Sequence, residues 1–209
     1  SKGVHRFFSG LFPNASIRTL YNGLEKTSFV WGPSTEEFVR FLFIGRLTPK
    51  KGIGVLLEAF ARIQSLPWFF DVVGDGSLAD SLKKTVLRLG ISQRVYFHGF
   101  QDTPEEWLAN CSCFLFPSLE EGMGLTLMRA ISMGVPVLSS DLPPVRELAL
   151  SSEGLLTPGD AGIWSKALED FIHTRKTHTC FDAKRIPTVD ETICEIERVY
   201  QKASRKVLS

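Results

Sequence analysis

Three short stretches of this chain carry residue types suited to a phosphorylated or hydroxylated ligand. The first is Gly45-Arg-Leu-Thr-Pro-Lys-Lys-Gly52. Gly45 lets the backbone turn, and Arg46 and Lys51 are spaced to reach one anion from two sides, for which a pyrophosphate is the natural occupant. The competing reading makes Arg46, Lys50 and Lys51 solvated loop cations. The second stretch is Pro117-Ser-Leu-Glu-Glu-Gly-Met-Gly-Leu-Thr-Leu-Met-Arg-Ala130, where two carboxylates precede Gly122 and Gly124 and a helical pattern begins at once. Glycines admit a ligand close to the backbone, and a new helix offers unpaired N–H groups to a phosphate. Glu121 can accept hydrogen bonds from sugar hydroxyls; the competing reading is a solvated acidic turn. The third, Gly74-Asp-Gly-Ser-Leu-Ala79, has the G-x-G-x-x-A spacing of dinucleotide sites. No acidic residue ends the next strand at the usual separation, so a tight turn into a helix is the better reading than a nicotinamide site.

All three stretches follow apolar runs, so the elements that position them can be read from the same pattern. From about residue 35 to residue 158, short apolar runs alternate with amphipathic stretches, as in a parallel sheet covered by helices on both faces. The expected strands are 39–44, 69–73, 95–98, 113–116, 136–139 and 154–157. Helices are expected over 53–64, 78–89 with Gly90 as its stop, from Pro104 with Thr103 and Glu106 as a capping box, over 124–133, and over 161–173 capped by Asp160. Residues 1–34 read as a helix over 4–12, a strand over 16–20 and a turn at Asn22-Gly23. A tail helix is expected over 190–206. In an open parallel sheet, ligands bind beyond the carboxyl ends of the strands, which is where the three stretches fall.

Composition narrows the function classes. Lys and Arg number 24 against 23 Asp and Glu, so no global field points toward nucleic acid or an anionic membrane, and any anion site is local. The four cysteines show no metal-ligand spacing, and Cys111 and Cys113 adjoin an apolar run that suggests buried thiols in a reducing, cytoplasmic setting. No apolar run is long enough to cross a bilayer, which leaves open peripheral membrane contact through another segment. Trp31, Trp68, Trp107 and Trp164 fall on none of the three stretches and read as packing residues.

In order along the chain, Asn22-Gly23, Phe43-Ile-Gly-Arg-Leu-Thr-Pro-Lys-Lys-Gly52, Val72-Val-Gly-Asp-Gly-Ser-Leu78, Val95-Tyr-Phe-His-Gly-Phe100, Phe116-Pro-Ser118, Glu121-Gly-Met-Gly-Leu125, Gly134-Val-Pro-Val137 and Gly159-Asp160 resemble the C-terminal domain of glycosyltransferase family 4. These are retaining, metal-independent enzymes of the GT-B fold. The resemblance implies an α/β, Rossmann-like three-layer domain of about six parallel strands, the C-terminal half of a GT-B fold. It implies a nucleoside diphosphate sugar, UDP- or GDP-linked, as donor substrate, no cofactor, and no metal. Arg46 and Lys51 would bind the diphosphate and Glu121 the transferred sugar. Gly45 would shape the first turn, backbone groups of Gly122, Met123, Gly124 and Leu125 would contact sugar and phosphate, and His98, Gly99 and Phe100 would line the base pocket.

The family places a second glutamate eight residues after the first, on the ribose hydroxyls, and here that residue is Arg129. Arginine cannot accept those bonds, so the ribose contact is lost or replaced, an extra anionic group on the donor is favoured, or Arg129 turns outward. The resemblance assigns residues 1–34 to the end of a preceding N-terminal domain and linker, 35–187 to the nucleotide-sugar-binding domain, and 188–209 to a C-terminal helix. The acceptor, a sugar, glycan or lipid-linked molecule, would be held by an N-terminal domain in the same or a partner chain, and this half alone would not turn over. Two other classes remain in view: a non-catalytic or degenerate nucleotide-sugar-binding module, suggested by Arg129, and a nicotinamide-dependent oxidoreductase, suggested by 74–79.

Overall fold

Continuous apolar runs rather than alternating ones are what a strand needs when both faces of its sheet are covered. A computed structural model describes residues 2–13, 17–32, 36–177 and 180–207. It contains α1 (Lys2–Leu11), β1 (Val39–Ile44), α2 (Ile53–Ala61), β2 (Trp68–Val73), α3 (Ala79–Arg88), β3 (Val95–Gly99), α4 (Pro104–Asn110), β4 (Cys113–Phe116), α5 (Leu125–Ser132), β5 (Val137–Ser139), α6 (Pro143–Arg146), α7 (Ala161–Thr174) and α8 (Val189–Val207). The sheet is parallel throughout, in the order β3-β2-β1-β4-β5.

Alternate residues of each strand face opposite layers. Phe41, Phe43, Trp68 and Phe70 pack with Phe60 of α2 and Trp164, Leu168 and Phe171 of α7. Leu42, Phe114 and Phe116 pack on the other face with Leu127, Met128 and Ile131 of α5. The Phe60 ring lies 4.5 Å from Trp68, 4.7 Å from Phe70 and 5.4 Å from Phe41, which pins α2 to β1 and β2. Fully burying each such side chain stabilises by roughly 1.5–3 kcal/mol relative to exposure. Trp31, Trp68 and Trp164 give their rings to packing, as the sequence suggests.

Five expected strands form, and the sixth shrinks to one parallel bridge between Leu156 and Ser140. Leu156 donates to the Ser139 carbonyl at 2.9 Å and accepts from Asp141 at 2.7 Å. The next N–H required on that side of the ladder would belong to residue 158, which is proline and has none. At α4, Pro104 takes the first turn as expected, but the Thr103 side chain makes no capping bond. Its φ, ψ of −116°, 71° departs from the extended geometry from which a cap reaches forward, and only its carbonyl serves, accepting from Glu106 N at 3.2 Å.

The leader also departs from expectation. Residues 17–20 form no strand, and Ser16 lies outside the described residues. Asn22-Gly23 does not turn: the chain runs straight into a parallel bridge between Leu24 and Thr188, with Gly23 pressed against the Thr188 backbone. The Asp160 cap is present, its Oδ1 accepting from Gly162 N at 2.8 Å and Ile163 N at 3.1 Å. Asp160→Ala is expected to lower stability by about 1 kcal/mol, measurable as a lower urea midpoint at unchanged slope.

Candidate functional site

The strand order reverses direction between β1 and β4, so the loops leaving these two strands diverge and open a crevice at their carboxyl ends. Gly45, Arg46 and Lys51 enter it from the β1 side, and Glu121, Gly122, Met123, Gly124 and Leu125 from the β4 side, around a cleft of about 380 Å³. Phe43 and Phe116 supply aromatic wall. The two loops are stitched together by backbone: Lys50 O accepts from Leu119 N at 2.8 Å and Glu120 N at 3.4 Å, and Gly52 lies flat against Pro117.

Within the cleft, the Lys51 ammonium pairs directly with the Glu121 carboxylate and lies 5.9 Å from the centre of the Phe116 ring. Glu121 also accepts from Gly122 N at 3.2 Å. Outside it, Lys50 and Glu120 form a parallel, solvent-exposed pair at 2.5 Å. Arg46 is exposed at the rim, and its guanidinium makes no hydrogen bond or ion pair among the described residues. Gly124 caps α5 and has no side chain to occupy the first-turn N–H groups, which therefore face the cleft as donors, with the positive end of the helix dipole behind them. One open cation, one paired cation and a helix N-terminus around one carboxylate can hold a polyanion that also carries hydroxyls.

Four further expected binding residues, three of them assigned to a base pocket, are not in the lining of this cleft. The His98 ring is 2.7 Å from Asp71 Oδ1 and 4.3 Å from the Trp107 ring, on the sheet face away from α2 and α3. Its carbonyl accepts from Gln101 Nε2, and that of Gly99 accepts from Gly74 N, so both acceptors are engaged internally. Phe100 projects into solvent. Arg129 does not turn outward: it is 17% exposed, pairs with Glu105 of α4 at 3.0 Å, and donates to the Glu25 carbonyl. Arg129→Glu would face Glu105 with a second carboxylate and is expected to lower stability by about 1–3 kcal/mol, read from a denaturant melt.

The turn 74–79 serves packing. A Cβ on Gly74 would fall 2.0 Å from the Gly45 carbonyl oxygen, and one on Gly76 2.6 Å from that of Leu47, so these glycines let the loop after β2 press against the loop after β1. Sequence reasoning assigned no role to Ser118, whose hydroxyl is buried in the cleft wall with no hydrogen-bond partner among the described residues. It also missed Asp71, buried in β2 between Arg40 at 2.9 Å and His98; a lone charge inside an apolar run was the available signal. A larger cleft, about 640 Å³, opens beside Asp71 and Trp107, but that carboxylate is already satisfied by its two partners. Burial pushes the Cys111 thiol up to about 12 and Cys113 well above the usual thiol range, so neither is poised as a nucleophile. Among the described residues, no group of three or more His, Cys, Asp or Glu could hold a metal ion, and no helix is long and apolar enough to cross a membrane.

The sequence profile of Glycosyl transferases group 1 matches residues 39–174, which span both walls of the cleft. The chain belongs to this family. Similar proteins include an uncharacterised glycosyltransferase of Methanocaldococcus jannaschii, 34% identical over 130 residues, 61% of this chain and 30% of that protein. A lipopolysaccharide 1,6-galactosyltransferase of Salmonella typhimurium is 32% identical over 167 residues, 75% of this chain and 44% of that protein. The chain thus spans less than half the length of these curated relatives. Among solved structures, the apo form of the lipopolysaccharide outer core galactosyltransferase WaaB aligns with a TM-score of 0.74 at 24% identity, over 97% of this chain and 60% of that one. Anabaena HepE, in complex with UDP and glucose, aligns at 0.77 and 22% identity, over 88% of this chain and 56% of that one. At these identities the structures establish the fold, the Rossmann-like one of GT-B glycosyltransferases.

Proposed function

We propose that the cleft between the loops after β1 and β4 holds the diphosphate of a nucleoside diphosphate sugar, and that the chain is the donor-binding half of a family 4 glycosyltransferase. The observation that carries this reading is the convergence of Arg46, Lys51 and the glycine-capped α5 N-terminus on one crevice that also contains Glu121. During transfer, the bond from the anomeric carbon to the diphosphate oxygen breaks, and one forms from that carbon to an acceptor hydroxyl oxygen, whose proton passes to the departing diphosphate. Negative charge grows on the leaving diphosphate, and fixed cations and N–H dipoles there stabilise it without reorganising. Hexose transfer with retention, to a sugar, glycan or lipid-linked acceptor held by an N-terminal domain on the cytoplasmic side, completes the proposal. The UDP and glucose bound by HepE support a UDP-linked donor.

A thermal-shift panel tests the reading. One of UDP, GDP or ADP should raise the melting temperature, whereas NADH should not; stabilisation by NADH alone would transfer the site to the oxidoreductase class. A second reading, binding without transfer, draws on Arg129, which is occupied by Glu105 and the Glu25 carbonyl rather than held open toward the cleft. It predicts that the natural chain binds sugar nucleotides only weakly and transfers no sugar.

A further inference from the structure

We infer that the Lys51–Glu121 pair makes the cleft select an intact sugar nucleotide over the bare nucleoside diphosphate, an inference that rests on the donor-site reading above. The pair joins the group that would hold the diphosphate to the group that would hold the sugar, and its side chains are 23% and 12% exposed. The loops beneath cannot part to release it without breaking the Lys50 to Leu119 backbone bond and the Gly52 to Pro117 contact, so the exchange falls to the two side chains.

A bare diphosphate takes the ammonium and leaves the Glu121 carboxylate without its cation, beside a new polyanion and the Phe116 ring. Leaving a partly buried carboxylate with one backbone N–H and no cation opposes binding. A sugar nucleotide supplies the same phosphates together with hydroxyl donors, so the freed carboxylate gains new partners. The Ser118 hydroxyl in the same wall, without a partner among the described residues, is a further group that an incoming hydroxylated ligand can satisfy. Once the sugar has left, Glu121 keeps only the Gly122 N–H and again lacks a cation, and its return to Lys51 favours release of the diphosphate. The outer Lys50–Glu120 pair, about two-thirds exposed on each side, has no such leverage because water solvates either partner alone.

The test is calorimetric titration of the chain and its variants with UDP and UDP-glucose, and with GDP and GDP-mannose as a second pair. The natural chain should bind the sugar nucleotide more tightly than the matching diphosphate. Glu121→Gln should bind the diphosphate roughly fivefold more tightly than the natural chain, as expected for removing a competing ion pair, and the sugar nucleotide no more tightly, so the preference collapses. Glu121→Ala should shift diphosphate affinity in the same direction, and Glu120→Gln should leave the preference intact. Unchanged or weaker diphosphate binding by both Glu121 variants would overturn the inference, as would equal binding of the two ligands by the natural chain. Binding of none of the four ligands by the natural chain would remove the reading of a UDP- or GDP-linked donor site, and the inference with it.

Discussion

Arg46→Ala is expected to weaken binding of the nucleoside diphosphate by roughly 1.5–3 kcal/mol, about ten- to 150-fold in Kd, if its guanidinium makes charge-assisted bonds to phosphate. The comparison with Lys51 explains why Arg46 leads. Lys51 already has a carboxylate partner, so its bond to phosphate replaces an existing interaction and the net gain is smaller. Arg46 is exposed at the rim with no partner among the described residues to give up, and it presents a planar fork that matches two phosphate oxygens. Lys51→Ala should therefore cost less than Arg46→Ala when the ligand is a bare diphosphate. Calorimetric Kd values for the two variants give that order directly, and the reverse order would count against the Lys51–Glu121 pairing as an energetic competitor.

Gly52→Ala is expected to be among the most destabilising small substitutions in the chain, at about 3–4 kcal/mol. Gly52 has φ of 66°, and a Cβ there would lie 2.1 Å from the carbonyl oxygen of Pro117. The clash is with backbone, and it pushes apart the two loops that build the cleft. Gly90→Ala is the matched comparison: its φ is 72°, yet nothing lies within 4 Å of the added carbon. That change should cost only the conformational penalty of about 1–2 kcal/mol. Chemical denaturation of both variants separates the steric part from the conformational part, and equal losses would show that the Gly52 contact is relieved by small movements.

The parts of the fold that were legible in the sequence are those set by local pattern. Apolar runs such as Val39–Ile44 and Cys113–Phe116 became central strands because their residues must be buried on both faces. The three strand-end stretches were found because glycine and charge directly after such a run have few local reasons to occur. The Asp160 cap was found because its acceptor acts on backbone two and three residues away.

The departures arise where a distant segment decides the outcome. Asn22-Gly23 has turn chemistry, yet Thr188 offers Leu24 a bridge and holds the chain extended. At Leu156 the strand is stopped by a missing N–H at Pro158, which an apolar pattern does not register. Pairings between residues far apart in sequence, Lys51 with Glu121 and Arg129 with Glu105, leave no periodic trace. Arg129 illustrates the consequence: its type raised the question of the ribose contact, and only its partners show that its charge is already committed.

The most direct measurement is a calorimetric titration of the chain with UDP, GDP and ADP, repeated on Arg46→Ala. The account predicts saturable binding of one of these diphosphates at a single site, weakened at least tenfold by the substitution. Absence of binding by all three, or binding that Arg46→Ala leaves unchanged, would contradict it.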